Sequence, residues 1–247
     1  MSHYFITGAS AGIGAALAKK LTDDGHAVSA VARRKQRLAA IENATDLFRG
    51  YAADVRDADA IAAAVASSHD TFGPVDVAIL NAGIYVPQDG KHIEPSVYAD
   101  HMDINYMGVV NALAAVVPKM LAAGRGHIIL ISSVAGWRGL PKAAAYGPTK
   151  AALISLAESL YFDLTPKNIK IQVICPGFVD TEATAVNDFD MPGLMSAETA
   201  AHYIITEMKS DMFLVSFPKS FTRKMKFLKY LPDRLYFSLV GKQTGAM

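Results

Sequence analysis

Tyr146 and Lys150 stand four residues apart in the stretch 145–150, Ala-Tyr-Gly-Pro-Thr-Lys, and Ser133 lies thirteen residues before Tyr146. Residues i and i+4 of a helix share a face, so the Lys150 ammonium can lie beside the Tyr146 phenol. A free phenol titrates near ~10, and lowering that by roughly three units takes about 4 kcal/mol. A cation at ~4–5 Å supplies roughly 3–4 kcal/mol at an effective dielectric of ~20. The spacing therefore predicts a phenol that gives or takes a proton near neutral pH, with Lys150 lowering its pKa. The bland alternative is a surface tyrosine and lysine on an ordinary helix. Pro148, between them, is tolerated only in a first turn, which predicts a helix beginning near Tyr146 and continuing to Leu164.

What must position such a pair begins at the other end of the chain. An apolar run over 3–7 leads into Thr7-Gly8-Ala9-Ser10-Ala11-Gly12-Ile13-Gly14, and a helical pattern follows over 15–22. Strand, glycine turn and helix form the context of a dinucleotide site. Gly8 permits the tight turn, Gly12 lets backbone approach a pyrophosphate, and Gly14 lets the helix close on the sheet. Unpaired N–H groups at the helix start would face the phosphates. The glycines are spaced G-x-x-x-G-x-G rather than G-x-G-x-x-G.

The chain resembles the short-chain dehydrogenase/reductase family. The resemblance covers Thr7 to about Thr181 and rests on six motifs in order. These are the turn Thr7 to Gly14, Asn81-Ala82-Gly83 after an apolar run over 75–80, Asn105, Ser133, Tyr146 to Lys150, and Pro176-Gly177 with Thr181 beyond. It implies hydride transfer between a nicotinamide and a carbonyl or carbinol carbon. Tyr146 would be the general acid/base. Lys150 would lower its pKa and hold the nicotinamide ribose, and Ser133 would bond the substrate oxygen. Asn105, in a helix pattern over 98–123, would hold a water linking Lys150 to solvent. It implies cofactor contacts from Gly8, Ser10, Gly12, Ile13, Gly14, Asn81, Ala82, Gly83, Tyr146, Lys150, Pro176, Gly177, Val179 and Thr181. Copies would pair through the helices holding Asn105 and Tyr146, giving dimers or tetramers.

Cofactor choice turns on the end of the second strand. There the chain reads Ala32-Arg33-Arg34 and carries no carboxylate to bond a ribose 2′-hydroxyl. Guanidinium forks suit a 2′-phosphate, so the expectation is NADP(H), with Arg33 as phosphate ligand and Arg34 assisting; NAD(H) stays open, as do solvated charges opening the next helix. Asp54 and Val55 match the family's pair beside the adenine, a helix cap being the alternative for Asp54. The resemblance places substrate among Ile84 and Tyr85, Trp137 and Arg138, and Phe178 and Val179. That set predicts a hydrophobic carbonyl or alcohol. Arg138 is either a surface arginine or a partner for a substrate carboxylate. A lid is expected over 182–196, where Asp188, Asp190, Pro192 and Gly193 interrupt periodicity.

Helical patterns alternate with β-rich runs at 27–32, 75–80, 126–131 and 169–175, within 247 residues of 51% hydrophobic content. One α/β domain with a doubly wound parallel sheet is the expected architecture. Cys175 is the only cysteine; it ends an apolar run and reads as a buried structural thiol. No signal peptide precedes the first strand, and the apolar pattern over 109–123 is broken by Asn111, Pro118 and Lys119. A cytoplasmic protein is expected, with the membrane surface open as a contact.

That contact would involve the tail. Residues 1–212 carry 17 basic and 22 acidic side chains, whereas 213–247 carry seven basic residues and only Asp233. Phe221, Met225, Leu228 and Leu231 share a helical face opposite Arg223, Lys226 and Lys229, and a second helix is expected after Pro232. Such a segment can pack on its own domain, cover the pocket, join subunits or lie on an anionic membrane. No nucleic-acid motif accompanies the charge. A rival from another class is a non-catalytic dinucleotide-binding sensor or scaffold, which fold alone does not separate from an enzyme.

Overall fold

The computed structural model describes every residue except Asp89, Asp188, Ala246 and Met247. The Asp188 position of the expected lid thus lies outside the described residues. Strands β1 (His3–Thr7), β2 (Ala27–Ala32), β3 (Phe48–Ala52), β4 (Val77–Leu80), β5 (Gly126–Ile131) and β6 (Ile169–Pro176) alternate with helices. A two-residue ladder, β7 (Val179–Asp180) with β8 (Met195–Ser196), follows. Strand β9 (Leu214–Phe217) completes a seven-stranded parallel sheet in the order β3-β2-β1-β4-β5-β6-β9. This is the doubly wound architecture expected from the alternation. The order reverses direction between β1 and β4, and the carboxyl ends of those strands open the crevice where such sheets bind ligands.

The strands are apolar almost without interruption because both faces of the sheet are covered. On one face Phe5, Ala78, Ile128 and Val173 meet α3 (Ala58–Phe72), α5 (Gly108–Ala123) and α6 (Tyr146–Leu164). On the other, Ile6, Ile79, Ile129 and Ile174 meet α1 (Gly12–Asp23) and α7 (Ala197–Glu207). Phe5 and Ile6 are fully buried, each contributing about 2–3 kcal/mol by area removed from water. Between β2 and β3 runs α2 (Lys35–Glu42), and α4 (Pro95–Met102) precedes α5.

Three elements differ from the sequence reading. The fourth strand begins at Val77, two residues later than the run suggested, and the Asp76 carboxylate just before it accepts the His3 N–H at 3.0 Å. The single helix expected over 98–123 is α4 and α5 joined by a π turn at Asp103–Met107, with Asn105 at its middle. One extra residue in a turn leaves the apolar rhythm nearly unchanged and does not show in periodicity. The basic stretch from 213 starts with a core strand, so only residues from Pro218 onward lie outside the sheet. There α8 (Lys219–Lys229) and α9 (Asp233–Thr244) form the two helices expected either side of Leu231-Pro232.

The run Pro95–Ala123 is long and apolar enough by composition to cross a membrane. Within the fold it buries Val109, Ala112, Leu113, Val116 and Met120 against the domain, as a core helix does.

Candidate active site

The glycine turn is shaped by what crosses it. Gly8 has φ +75°, and a Cβ there would lie 2.7 Å from the Ala82 Cα. A Cβ on Gly14 would run into the Gly8 carbonyl and come within 2.7 Å of the Asn81 amide. Thr7 Oγ1 accepts from the N–H groups of Asn81 and Ala82 at 3.0 and 3.1 Å, and the Asn81 amide donates back to the Thr7 and Gly8 carbonyls. The turn and the Asn81-Ala82-Gly83 segment are therefore one unit. Ala11 caps α1 without a side-chain hydrogen bond, which leaves its first-turn N–H groups for an anionic ligand.

These residues line one end of a continuous cleft of about 1630 Å³. Gly8, Ser10, Gly12, Ile13, Arg33, Arg34, Asp54, Val55, Asn81, Ala82 and Gly83 lie along it, as do Pro176, Gly177, Val179 and Thr181. The cradle that a Cβ would fill and the uncapped helix start fit a dinucleotide pyrophosphate. Two expected cofactor residues do other work. Gly14 lies beneath the turn and does not line the cleft. Arg34 donates to Ser10 Oγ at 3.0 Å and to Glu182 at 2.7 Å, and Arg37 reaches Glu182 at 2.5 Å. Arg33 is exposed at the same rim. Asp54 accepts from Arg56, which holds its carboxyl below the usual range, and the cap of α3 is Asp57.

Ser133, Tyr146 and Lys150 meet at the middle of the cleft. Ser133 ends β5's extension and takes the Ala135 N–H at 3.1 Å, and its hydroxyl lies near enough to the Tyr146 phenol to pull its pKa down. Tyr146 opens α6, with Pro148 in the first turn as expected, and Tyr85 packs edge-on to its ring at 5.2 Å. Lys150, one turn on, is buried and donates from Nζ to the Ile131 carbonyl at 2.9 Å.

The electrostatics of this site differ from the expected pairing. Burial pushes the Tyr146 phenol up to about 12, against the smaller downward pull of Ser133. Burial likewise pulls Lys150 down to about 8. The ammonium lies 5.5 Å from the ring centroid and is turned to Ile131. Desolvation, which a sequence spacing does not reveal, exceeds the attraction that spacing promised. Asn105 also differs: its side chain is fully buried and spent on the Ile84 N–H (2.7 Å), the Ile84 carbonyl (3.0 Å) and Thr149 Oγ1 (3.1 Å). It supports the Gly83–Ile84 corner behind Tyr146 and does not line the cleft.

The substrate end is apolar and comes from more of the chain than the sequence suggested. Ile84, Tyr85, Phe178 and Val179 line it as expected. Trp137 does not: it is buried beneath the Lys226 ammonium, 5.7 Å away. Arg138 points away to the tail, donating to the Leu228, Lys229 and Leu231 carbonyls at 3.2, 3.1 and 2.6 Å, pairing with Asp233, and lying 3.9 Å over the Tyr236 ring. In their place stand Leu140 and Pro141, Phe221, Met225 and Leu228 of α8, and Val240 of α9. The apolar face of α8 was visible as spacing; that it walls the cleft was not. Phe178 contacts Phe189 of the 182–196 segment at 5.9 Å and Phe221 at 5.6 Å. Cys175 is fully buried beside Trp137, and burial raises its thiol to about 11.

Comparison with known proteins agrees with this geometry. Residues 2–191 match the family model for short chain dehydrogenases. An uncharacterized oxidoreductase of Myxococcus xanthus is 34% identical over 94% of this chain and 93% of its own. A 3-dehydrosphinganine reductase of Arabidopsis thaliana is 36% identical over 72% of this chain, which spans 55% of that relative. A short chain dehydrogenase of Burkholderia cenocepacia, solved in complex with NADP, superposes with a TM-score of 0.84 over 97% of each chain at 23% identity. Sequence match, relatives and sheet order agree, and the chain belongs to the short-chain dehydrogenase/reductase family of oxidoreductases.

Proposed function

We propose that this protein transfers hydride between NADP(H) and a hydrophobic ketone or secondary alcohol, with Tyr146 as general acid/base. One observation carries the reading. The Tyr146–Ser133 pair sits where the backbone-lined half of the cleft meets its apolar half. Bound there, the dinucleotide supplies the hydride and, to Lys150, ribose hydroxyls. Gly8 to Ile13 hold its pyrophosphate, Asp54 and Val55 flank its adenine, and Arg33 with Arg34 take the 2′-phosphate. Ser133 orients the substrate oxygen where charge develops. Tyr146 donates its proton to that oxygen in reduction and accepts one in oxidation. Burial keeps the Tyr146 phenol protonated, and that proton is the one reduction spends.

The apolar wall favours a ketone on a long or bulky apolar skeleton. The Arabidopsis relative is named a 3-dehydrosphinganine reductase. The 182–196 segment, clipped by β7 and β8 and capped by Phe189, serves as the lid. Exposed Phe162 on α6 and Leu121 on α5 support pairing between copies.

The test is consumption of NADPH, and separately of NADH, with a panel of long-chain, aromatic and small polar ketones. Tyr146→Phe serves as control. The expected outcome is turnover with NADPH on apolar ketones that falls about 10²–10⁴-fold in the variant, while NADPH still binds by fluorescence titration. Tight NADPH binding without turnover on any ketone moves the protein to the sensor reading.

A further inference from the structure

We propose that the outer face of α8 and α9 docks on an anionic lipid bilayer, bringing the apolar end of the cleft against the membrane surface. The inner face of α8 is accounted for, since Phe221, Met225 and Leu228 wall the cleft. Its outer face is not. Phe227 is 66% exposed and Tyr230 is 80% exposed. Large aromatic rings held in water on a helix are the arrangement expected at a bilayer interface, where an apolar body and a polar tip are both accommodated. Arg223 lies one turn before Phe227, and Lys224 three residues before it, so both cations flank the ring. On α9, Leu235, Phe237 and Leu239 are exposed as well.

Charge selects the occupant. Among the described residues no carboxylate pairs with Arg223, Lys224 or Arg234, and Asp233, the only acid after residue 212, is taken by Arg138. The rest of the chain carries 17 basic and 22 acidic residues. An anionic surface therefore attracts this face and repels the remainder, which orients the molecule. A second copy is disfavoured as the occupant, because two-fold pairing of the patch with itself sets cations against cations. Basic side chains reach phosphate headgroups while the rings between them enter the boundary.

Flotation of the full-length protein with vesicles of phosphatidylglycerol and phosphatidylcholine in equal parts, against pure phosphatidylcholine, tests this. The expected result is binding to the anionic vesicles alone, weakening as salt rises. Arg223→Gln and Lys224→Gln should each weaken it about five-fold, and Phe227→Ser with Tyr230→Ser about ten-fold or more. Circular dichroism and NADPH titration check that each variant is folded. Tyr146→Phe should bind vesicles as the parent does, so this result stands or falls apart from the catalytic reading. Absence of binding to anionic vesicles overturns the inference, as does binding that all the tail variants retain. A dimer that only the Phe227/Tyr230 variant breaks, without vesicle binding, assigns the face to a second copy instead.

Discussion

At its Arg33 end the cleft is made of backbone: a turn with Gly8 at φ +75°, a helix start with free N–H groups, and Asn81 stitched to Thr7 and Gly8. At its Tyr85 end it is made of side chains from separate stretches of the chain, drawn together by packing of Phe178, Phe189 and Phe221 and by the reach of Arg138. A backbone site tolerates almost no change, because each atom's position depends on what its neighbours lack. A side-chain site can be rebuilt residue by residue while the catalytic step stays the same. The invariant part of the chemistry is thus held by geometry, and the selective part by composition.

The sharpest break between the halves is Gly14→Ala. The new methyl would meet the Gly8 carbonyl and the Asn81 amide, both held in place by other bonds. Overpacking of this kind costs about 2–3 kcal/mol, read by thermal unfolding, and NADPH affinity should fall more than a hundredfold. Near-normal binding would mean that the turn does not cradle the phosphates.

Arg138→Met should do the reverse. It removes a buried-stem guanidinium from three carbonyls and from the Tyr236 face, loosening the hold on α8 and α9. About 2 kcal/mol of stability should go, little of it from the exposed Asp233 partner. The KM for an apolar ketone should rise about ten-fold, while NADPH affinity stays unchanged. Equal loss in both would show that the halves are coupled through the tail.

The same contrast explains what was legible in the sequence. Gly8, Gly12 and Gly14 announce a turn because no other residue fits it, and Pro148 marks the start of α6 because proline is confined to a first turn. The π turn at Asp103–Met107 was hidden by an unbroken apolar rhythm. Strand β9 was hidden by its brevity, four residues at the head of a basic stretch. Arg138 was read as a surface arginine or a carboxylate partner, and its actual partners stayed hidden because they lie some ninety residues further on. For Tyr146 and Lys150 the residues were plain but their titration was not, because it depends on how much water the fold removes.

The smallest expected effect lies where the lid segment reaches the cofactor rim. Glu182, the first residue of the expected lid, holds both Arg34 and Arg37 at the cofactor rim, and the two arginines keep its carboxyl below the usual range. A 2′-phosphate seated among Arg33 and Arg34 competes with that carboxylate for the same guanidinium, and the two anions repel. Glu182→Gln removes the competitor's charge and keeps its shape. NADPH should then bind about three-fold tighter and NADH unchanged, with the gain shrinking at high salt because all three partners are solvent-exposed. Weaker NADPH binding in this variant would instead mean that Glu182 aims the arginines at the phosphate. In that case the lid and cofactor choice are coupled by alignment rather than by competition.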